Sequence, residues 1–400
     1  MHFFKTISVE EALDKISNNK VIKETLELLS LENSLNRVLG EDIYSPIDLP
    51  SFNRSLVDGY AVLAEDTFGA SESFPSLLNL KGEIKMGEYN ATSISHGETL
   101  YVPTGAMIPN NSNAVAMIED CDKLGNEILN YKSLAINNNI ISKGQEIEKN
   151  KILLKKNTLI TPYHIAVLAS VGISKIKVFS KLQVSIISTG DEIIPIDKEL
   201  PLGGIYDINT YLLKSYVESL GGNIVKTQLV KDSEELLNSA LKESIKKSDL
   251  VLISGGSSVG VRDFTKKSIE NLNGEILAHG LSVKPGKPAI LAKCNDCFII
   301  GLPGHPQSAI NVFRIFQNSF FNIKQHFTYG ILEENLSGDT GKKTYINVSL
   351  HEINEEIYIK PILSKSSMVR PLIDSDGYII IPEYKEGFYK GERIKVYFNV

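Results

Sequence analysis

The strongest constraint on the fold is the alternation of strand-like and helix-like segments between residues 181 and 322. Short apolar runs rich in Val and Ile are predicted to form strands over residues 184–188, 223–230, 249–254, 276–283 and 298–302. Helical periodicity is predicted over residues 210–220 and 233–247, from about Phe264 and from Pro306. Such alternation is typical of a parallel sheet with right-handed crossovers. We therefore predict an α/β fold here, with a doubly wound, mostly parallel sheet.

The flanking regions predict three further domains. Ser8 and Glu11 have capping-box spacing at the start of one helical pattern, and Thr161-Pro162 opens another that Gly172 ends. Short apolar runs among many Gly, Pro, Asn and Ser predict strands between residues 46 and 147, and alternation returns after about residue 340. The predicted domains are a helical linker domain in two segments that pack together (1–48 and 148–180), an inserted β-rich domain (49–147), the α/β domain (181–322) and a C-terminal β-barrel or sandwich (323–400).

Charge and apolar run length argue against two classes of partner. The formal net charge is −6, whereas nonspecific binding of nucleic acid depends on basic patches. Apolar runs such as residues 297–302 are far shorter than the roughly 20 residues that cross a bilayer. The first five residues also lack the layout of a signal peptide. We expect a cytoplasmic protein that binds neither nucleic acid nor membranes.

Cys294 and Cys297 have the CxxC spacing of redox and metal sites, but a simpler explanation fits them. The pair flanks Asn295-Asp296 between two apolar runs, which is typical of a β-hairpin tip. No second CxxC and no nearby pair of histidines completes a zinc site in the sequence. The pattern therefore favours a hairpin.

Polar, glycine-rich segments follow the predicted strands of the α/β domain. The carboxyl ends of parallel strands meet at one edge of an open sheet, and ligands bind there. Glycines let backbone N–H groups approach an anion closely. The segments expected at this edge are Ser188-Thr189-Gly190-Asp191-Glu192, Lys231-Asp232, Ser254-Gly255-Gly256-Ser257-Ser258-Val259-Gly260 with Asp263, Lys284-Pro285-Gly286-Lys287-Pro288 and Gly301-Leu302-Pro303-Gly304-His305-Pro306.

The carboxylates in these segments predict a divalent cation. Glu192, Asp232 and Asp263 would repel a bare phosphate, whereas Mg²⁺ binds through one or two carboxylates together with substrate phosphates. Lys284 and Lys287 can neutralise phosphate charge. A phosphoanhydride held in this way is stabilised electrostatically as its leaving group departs. The pattern therefore predicts an enzyme that acts on a phosphorylated small molecule.

Each motif also has a purely structural explanation. A Gly-Gly-Ser-Ser segment forms a tight turn, Asp191-Glu192 can cap a helix, exposed lysines are ordinarily solvated, and His305 can be structural. The sequence contains neither a GxxxxGK[ST] P-loop nor a GxGxxG segment after a strand. The joint placement of the motifs at strand ends, rather than any single motif, therefore carries the prediction of a site.

The motifs resemble those of the molybdopterin molybdenumtransferases, the MoeA-like proteins that include the E domain of gephyrin. The resemblance covers essentially the whole chain. Besides the strand-end segments above, it rests on Ser55-Leu56-Val57-Asp58-Gly59-Tyr60-Ala61, Pro103-Thr104-Gly105-Ala106, Ile205-Tyr206-Asp207-Ile208-Asn209, Ser366-Ser367-Met368-Val369-Arg370 and Asp376-Gly377. Without the resemblance, the segments around Asp58 and Thr104 would be interpreted only as loops that border strands.

The resemblance implies a reaction, a cofactor and an assembly. The family inserts molybdate into adenylylated molybdopterin and releases AMP with Mg²⁺, and it forms homodimers whose active cleft is shared between subunits. In this picture the α/β domain is MogA-like and binds the pterin. The residues that the resemblance assigns to the site are Asp58, Thr104, Glu192, Asp232 and Asp263 as catalytic residues, the last three also as metal ligands, and Gly255, Gly256, Ser257, Ser258, Lys284, Lys287, Pro303, Gly304, Ser308 and Ser366 as substrate-binding residues.

Several positions depart from the family pattern, and two other functions stay open. Val57 stands where methionine is usual, Glu146 where aspartate is common, and His305 where asparagine is commoner. Asn347 aligns with a position that is arginine in the family, and Arg370 could supply that positive charge instead. Loss of that charge would suit a noncatalytic molybdopterin-binding or scaffold protein. The third hypothesis is a different phosphoanhydride hydrolase that uses only the middle domain.

Overall fold

The computed structural model describes residues 6–19, 25–88, 91–255, 259–321 and 325–399, without the side chains of residues 259–263. The chain divides into two compact units. One is Thr25–Phe179, and the other combines Met1–Glu24 with Ser180–Val400.

The N-terminal helix, α1 (Val9–Asn19), belongs to the larger unit. It begins as predicted, because Ser8 Oγ accepts a hydrogen bond from the Glu11 N–H at 3.0 Å. Its apolar face, which includes Val9 and Ile16, lies in the same core as the α/β domain. The sequence did not predict this packing, since the periodicity of a helix shows which face is buried but not what covers it. The boundaries of the four predicted domains stay a prediction.

The unit Thr25–Phe179 is built mainly from short strands and one α-helix, α2 (Pro162–Ser170). Its main sheet has the strand order β7-β4-β6-β5-β9-β8. The pairs β1–β12, β2–β11 and β3–β10 are antiparallel. The strands are β1 (Leu26–Ser30), β2 (Ile43–Tyr44), β3 (Arg54–Ser55), β4 (Gly59–Val62), β5 (Ser76–Glu83), β6 (Glu98–Val102), β7 (Ala114–Met117), β8 (Cys121–Leu124), β9 (Glu127–Asn130), β10 (Ile140–Ile141), β11 (Ile152–Leu154) and β12 (Lys175–Phe179).

The structure contains both features that the sequence predicted in this unit, the β-rich region and the helix that Thr161-Pro162 opens. The Gly- and Asn-rich region contains the strands of the main sheet, which confirms the inserted β-rich domain as part of the fold. Helix α2 begins after Thr161, whose side chain accepts from the His164 N–H, and Pro162 occupies its first turn. The chain then turns at Gly172, where φ is +77°.

The α/β domain has a six-stranded sheet with the order β16-β13-β17-β21-β20-β18. The first four of these strands are parallel, and β20 runs antiparallel to both of its neighbours. Buried residues alternate between the two faces, with Ile186 and Leu252 in one core and Ile187 and Val251 in the other. The elements are β13 (Gln183–Thr189), β14 (Ile193–Ile194), β15 (Ile205–Tyr206), α3 (Asn209–Ser219), β16 (Asn223–Val230), α4 (Glu234–Ile245), β17 (Leu250–Gly255), α5 (Val259–Asn271), β18 (Glu275–His279), β19 (Val283–Lys284), β20 (Ile290–Cys294), β21 (Cys297–Leu302) and α6 (Pro306–Phe320).

The predicted doubly wound, mostly parallel sheet is confirmed, with one difference in its strands. Residues 276–283 do not form one strand, because β18 ends at His279 and β19 pairs with a strand of the C-terminal domain. The CxxC pair does lie at a hairpin tip, with Cys294 opposite Cys297 and Asn295 at φ +54°. Both thiols are buried, and burial raises the pKa of Cys297 well above its ordinary value.

The C-terminal domain is a closed barrel. The order β24-β25-β22-β28-β26 closes through pairing of β26 with β24, and β19 adds to β24 from outside. This closure confirms the barrel and leaves no open edge in the ring. The elements are β22 (Phe327–Leu332), β23 (Leu336–Ser337), β24 (Lys343–Ile353), β25 (Glu356–Pro361), α7 (Arg370–Asp374), β26 (Gly377–Ile381), β27 (Gly387–Phe388) and β28 (Arg393–Phe398).

Candidate functional site

Four parallel strands of the α/β domain end at the same edge of its sheet. Thr189 lies opposite both Val230 and Gly255, and Ser254 lies opposite Leu302. The segments that follow these strands are those expected from the sequence. Gly255 has φ +153°, and a Cβ atom there would lie 2.1 Å from the Thr189 carbonyl oxygen. Glycine is therefore required for β17 to end this close to β13.

Acidic groups from two strand ends meet beside Thr189. The Thr189 hydroxyl donates to Asp232 Oδ1 at 2.6 Å, and the Asp232 N–H donates to Asp191 Oδ1 at 3.3 Å. Glu192 is exposed, with its carboxylate folded towards Gly190. Asp191, which the sequence analysis placed at this edge without a role of its own, is thus the neighbour of Asp232. The signal for it was its position directly after the strand.

Asn209 connects three segments of this edge. Its Nδ2 donates to Ser254 Oγ and to the Gly304 carbonyl oxygen, both at 2.7 Å. Because a carbonyl only accepts, the amide orientation is fixed and Oδ1 points elsewhere, buried and without a hydrogen-bond partner. Asp207, two residues earlier, accepts from the Ser188 hydroxyl and the Thr210 N–H. Residues 205–209 were recognised as a motif of the family resemblance, but none of them was predicted to belong to the site.

A segment of the barrel, residues 364–368, contacts the start of α6. Gln307 is buried, and its Nε2 lies within 3.2 Å of Ser364 Oγ and of the Lys365 and Met368 carbonyl oxygens. His305 Nδ1 lies 2.9 Å from Ser366 Oγ. Ser308, one residue beyond Gln307, is also buried. The structure therefore brings predicted residues from two domains to the end of β21, and Gln307 was missed.

The two predicted lysines lie between β18 and β20, at the same edge of the sheet. Lys284 is the last residue of β19, and Lys287 lies on the loop after it. Lys284 Nζ is 3.0 Å from Asp339 Oδ1 in the barrel, and Lys342 Nζ is 3.3 Å from Asp339 Oδ2. These two hydrogen-bonded ammonium groups hold the pKa of Asp339 below its ordinary value. Lys287 is exposed, and no ion pair is found for it within the described residues. Lys287 is therefore the more available cation of the pair.

Part of the predicted site lies outside the described residues. This applies to Gly256, Ser257 and Ser258 and to the side chain of Asp263. In the rest of the chain, no group of three or more His, Cys, Asp or Glu side chains is arranged to hold a metal ion. Of the three predicted metal ligands, only Glu192 and Asp232 therefore have carboxylates that the structure describes.

Asp58 and Thr104 belong to the other unit, Thr25–Phe179, and contact each other there. Asp58 Oδ1 accepts from the Thr104 N–H at 2.6 Å and from the Thr104 hydroxyl at 3.0 Å. These hydrogen bonds hold the pKa of Asp58 below its ordinary value, and the one from the backbone N–H has the larger effect. Both residues are exposed. The pair therefore presents an ionised carboxylate at the surface of its unit.

Thr104→Val is expected to raise the pKa of Asp58 towards 3.8 but not to reach it, because only the hydroxyl hydrogen bond is lost. A depressed folded-state pKa stabilises the fold above the unfolded-state pKa, and this contribution is lost as the pH falls through the folded-state value. An NMR titration of the carboxyl groups measures the shift. Asp48, whose pKa is lowered first by the Lys149 N–H, is the internal control and should not move. An unchanged Asp58 pKa would exclude a role for the hydroxyl.

Asn347 departs from the family pattern and Arg370 could supply the missing charge, but the two residues have different environments. Asn347 is buried in β24, and its carbonyl accepts from the Ile362 N–H, just before the segment that contacts α6. Arg370 is exposed, and its Nε lies 2.8 and 2.9 Å from the two carboxylate oxygens of Asp374. The charge of Arg370 is therefore already paired. No helix in the described part of the chain is both long and apolar enough to cross a membrane.

The chain matches three family descriptions in order. Residues 7–172 match the MoeA N-terminal region (domain I and II), residues 185–322 a probable molybdopterin binding domain, and residues 329–398 the MoeA C-terminal region (domain IV). A Methanocaldococcus jannaschii protein named for molybdopterin biosynthesis is 38% identical over 400 residues, which cover 98% of this chain and 96% of that protein. The molybdopterin molybdenumtransferase of Bacillus subtilis is 30% identical, with 98% and 93% covered.

A solved structure shows the same fold. The crystal structure of a molybdopterin biosynthesis MoeA protein from Pyrococcus horikoshii superimposes with a TM-score of 0.89 at 36% identity. The alignment covers 98% of this chain and 99% of that one. The similarity thus extends over the full length of the fold.

Proposed function

The chain belongs to the MoeA family, and we propose from this that it transfers molybdate to adenylylated molybdopterin with release of AMP. Relatives from Haemophilus influenzae and Bacillus subtilis, 33% and 30% identical, are named molybdopterin molybdenumtransferases. The observation that carries the proposal is the convergence of polar strand ends, carboxylates and lysines at one edge of the α/β sheet. Parallel sheets bind phosphorylated ligands at this edge.

The chemistry of the edge suits two anions. Molybdate is a tetrahedral dianion and, like phosphate, is bound by cations and hydrogen-bond donors. Lys287 and Lys284 supply positive charge, and the glycines at Gly255 and Gly304 let backbone groups approach a ligand closely. Ser308 and Ser366 supply hydroxyl donors for oxyanions. Holding molybdate beside the phosphoanhydride places both reacting groups in one pocket, which lowers the barrier through proximity.

We further propose that Glu192, Asp232 and Asp263 bind Mg²⁺. When bound, the cation would offset the charge of the phosphates as AMP leaves. Two described carboxylates fit this role, because Mg²⁺ needs only one or two from the protein when phosphates and water complete its shell. Asp232 is oriented for it, since Thr189 holds Oδ1 and fixes the rotamer.

AMP release in the presence of molybdate tests the proposed reaction. The full-length protein is incubated with adenylylated molybdopterin, molybdate and Mg²⁺, and both AMP and the metal content of the pterin are measured. We expect AMP release that depends on molybdate, with molybdenum recovered in the product. AMP release without any dependence on molybdate, and without metal transfer, would contradict the proposal and favour a hydrolase.

The scaffold alternative is not favoured. The chain retains the charged residues that the resemblance assigns to the site, namely Asp58, Glu192, Asp232, Asp263, Lys284 and Lys287. A protein that had lost its reaction would have no need to keep these charged groups.

We also propose a cytoplasmic homodimer. The free state of Cys294 and Cys297, which lie opposite each other at the hairpin, suits a reducing compartment. Helix α2 supports self-association, because Tyr163 and Val167 lie on one helical face and are 83% and 40% exposed. Contiguous apolar surface of this kind marks candidate sites of protein–protein contact.

Val167→Asp is therefore expected to convert the dimer to a monomer, since a buried unpaired carboxylate at an interface costs several kcal/mol. Size-exclusion chromatography with light scattering gives the mass, to be compared with twice 44.2 kDa for the wild type. Leu124→Asp, an equally radical change at an exposed residue at the end of β8, is the matched control. A dimeric Val167→Asp variant would remove α2 from the interface.

A further inference from the structure

We propose that Gln307 is a positioning residue for the molybdate substrate: it fixes residues 364–368 of the barrel so that Ser366 faces the strand-end site. This inference rests on the proposed function and adds a residue to it. Its basis is the set of hydrogen bonds between the first turn of α6 and this segment.

The Gln307 side chain forms hydrogen bonds with three residues of the segment. Its two Nε2 hydrogens can go to the Met368 carbonyl at 2.7 Å and the Lys365 carbonyl at 3.1 Å, which only accept. The Ser364 hydroxyl then donates to Gln307 Oε1 at 3.3 Å. Gln307 is 6% exposed, so each broken hydrogen bond would leave a poorly hydrated polar group. The arrangement has one orientation and holds both ends of the segment.

Among the described residues, the side-chain hydrogen bonds between this segment and the α/β domain are those of Gln307 and His305. Most of its residues are exposed, and within it the Met368 N–H donates to the Lys365 carbonyl. On the barrel side, the Ile362 N–H is bound to Asn347. Exposed segments with few buried contacts open at low cost. The position of Ser366 therefore depends on Gln307 and, beside it, on His305.

The contact between His305 and Ser366 determines what Ser366 can do. If His305 Nδ1 carries a hydrogen, it donates to Ser366 Oγ at 2.9 Å, and the serine hydrogen is free for another acceptor. If Nδ1 is bare, the serine must donate to it. An oxyanion at Ser366 needs the serine hydrogen and so selects the first tautomer. His305 and Gln307 thus arrange Ser366 as a donor at the end of β21.

The test compares Gln307→Ala, Ser366→Ala and the double variant in the AMP-release assay at varied molybdate. We expect each single variant to raise the KM for molybdate about 10-fold, as loss of one substrate hydrogen bond does. The kcat at saturating molybdate and the affinity for AMP should stay within about twofold of wild type. Because Gln307 acts through Ser366, the double variant should resemble the single ones rather than multiply them.

Two further variants separate positioning from stability. Gln307→Glu keeps the size of the side chain but places a carboxylate against two carbonyls, and it should reproduce the KM increase. Gln317→Ala removes the same side chain at another buried position of α6, away from residues 364–368, and should leave the KM unchanged. Two results would overturn this inference but leave the proposed function standing, provided that the wild type is active. One is a KM increase in the double variant that equals the product of the two single increases, and the other is an unchanged KM in Gln307→Ala. Absence of molybdate-dependent AMP release in the wild type would overturn the proposed function as well.

Discussion

Asp232→Asn is expected to lower the rate of AMP release by about 100- to 1,000-fold while leaving the fold intact. Asparagine still offers an acceptor to the Thr189 hydroxyl, which donates to Asp232 Oδ1 at 2.6 Å. What it removes is the negative charge that would bind Mg²⁺ against the substrate phosphates. The loss should therefore appear in kcat, and excess Mg²⁺ should restore only part of it.

Asp249→Asn is the matched control for this change. Asp249 lies at the opposite, amino-terminal edge of the same sheet, where its Oδ2 accepts from the Gln183 N–H at 2.8 Å. The substitution keeps that acceptor and alters the same net charge, so AMP release should stay near the wild-type rate. Equal losses in the two variants would show that general charge, and not the strand-end edge, determines the rate.

Gly255→Ala is expected to reduce the free energy of unfolding of the α/β domain by about 3 kcal/mol or more. Its Cβ atom would lie 2.1 Å from the Thr189 carbonyl oxygen and 2.5 Å from Thr189 Cγ2. These atoms belong to the neighbouring strand, so the clash can be relieved only by parting β13 from β17. Thermal unfolding of the full chain, followed by amide exchange in the two strands, measures the effect.

Gly203→Ala separates the clash from backbone strain. Gly203 also has a positive φ, +86°, but a Cβ atom there would meet nothing within 4 Å. That variant should cost only about 1 kcal/mol, the ordinary penalty for a side chain at such a backbone angle. Similar losses in the two variants would mean that the close approach of β17 to β13 is not what requires glycine.

The sequence predicted the α/β domain well because its signals are local. β16 spans Asn223–Val230 as predicted, and α6 begins at Pro306. Apolar periodicity identifies such elements without knowledge of the rest of the chain. The rule that parallel strands share a carboxyl edge then placed Asp232 and Gly255 together, although they are distant in sequence.

The contacts that the sequence did not predict depend on packing between distant segments. The periodicity of α1 could not show that its apolar face packs in the α/β core. The pairing of Lys284 with Asp339 and of Gln307 with residues 364–368 joins two domains, and no spacing rule predicts either. Family resemblance assigned Ser366 to the site, but only the structure shows what holds it there.

The most direct test of the account is a crystal of this protein soaked with AMP and molybdate. We expect AMP density at the carboxyl ends of β13, β16, β17 and β21, with the phosphate near Asp232 and the anomalous signal of molybdenum between Lys287 and Ser366. Binding of both ligands away from this edge, with the edge filled only by water, would contradict the claim that these strand ends form the active site.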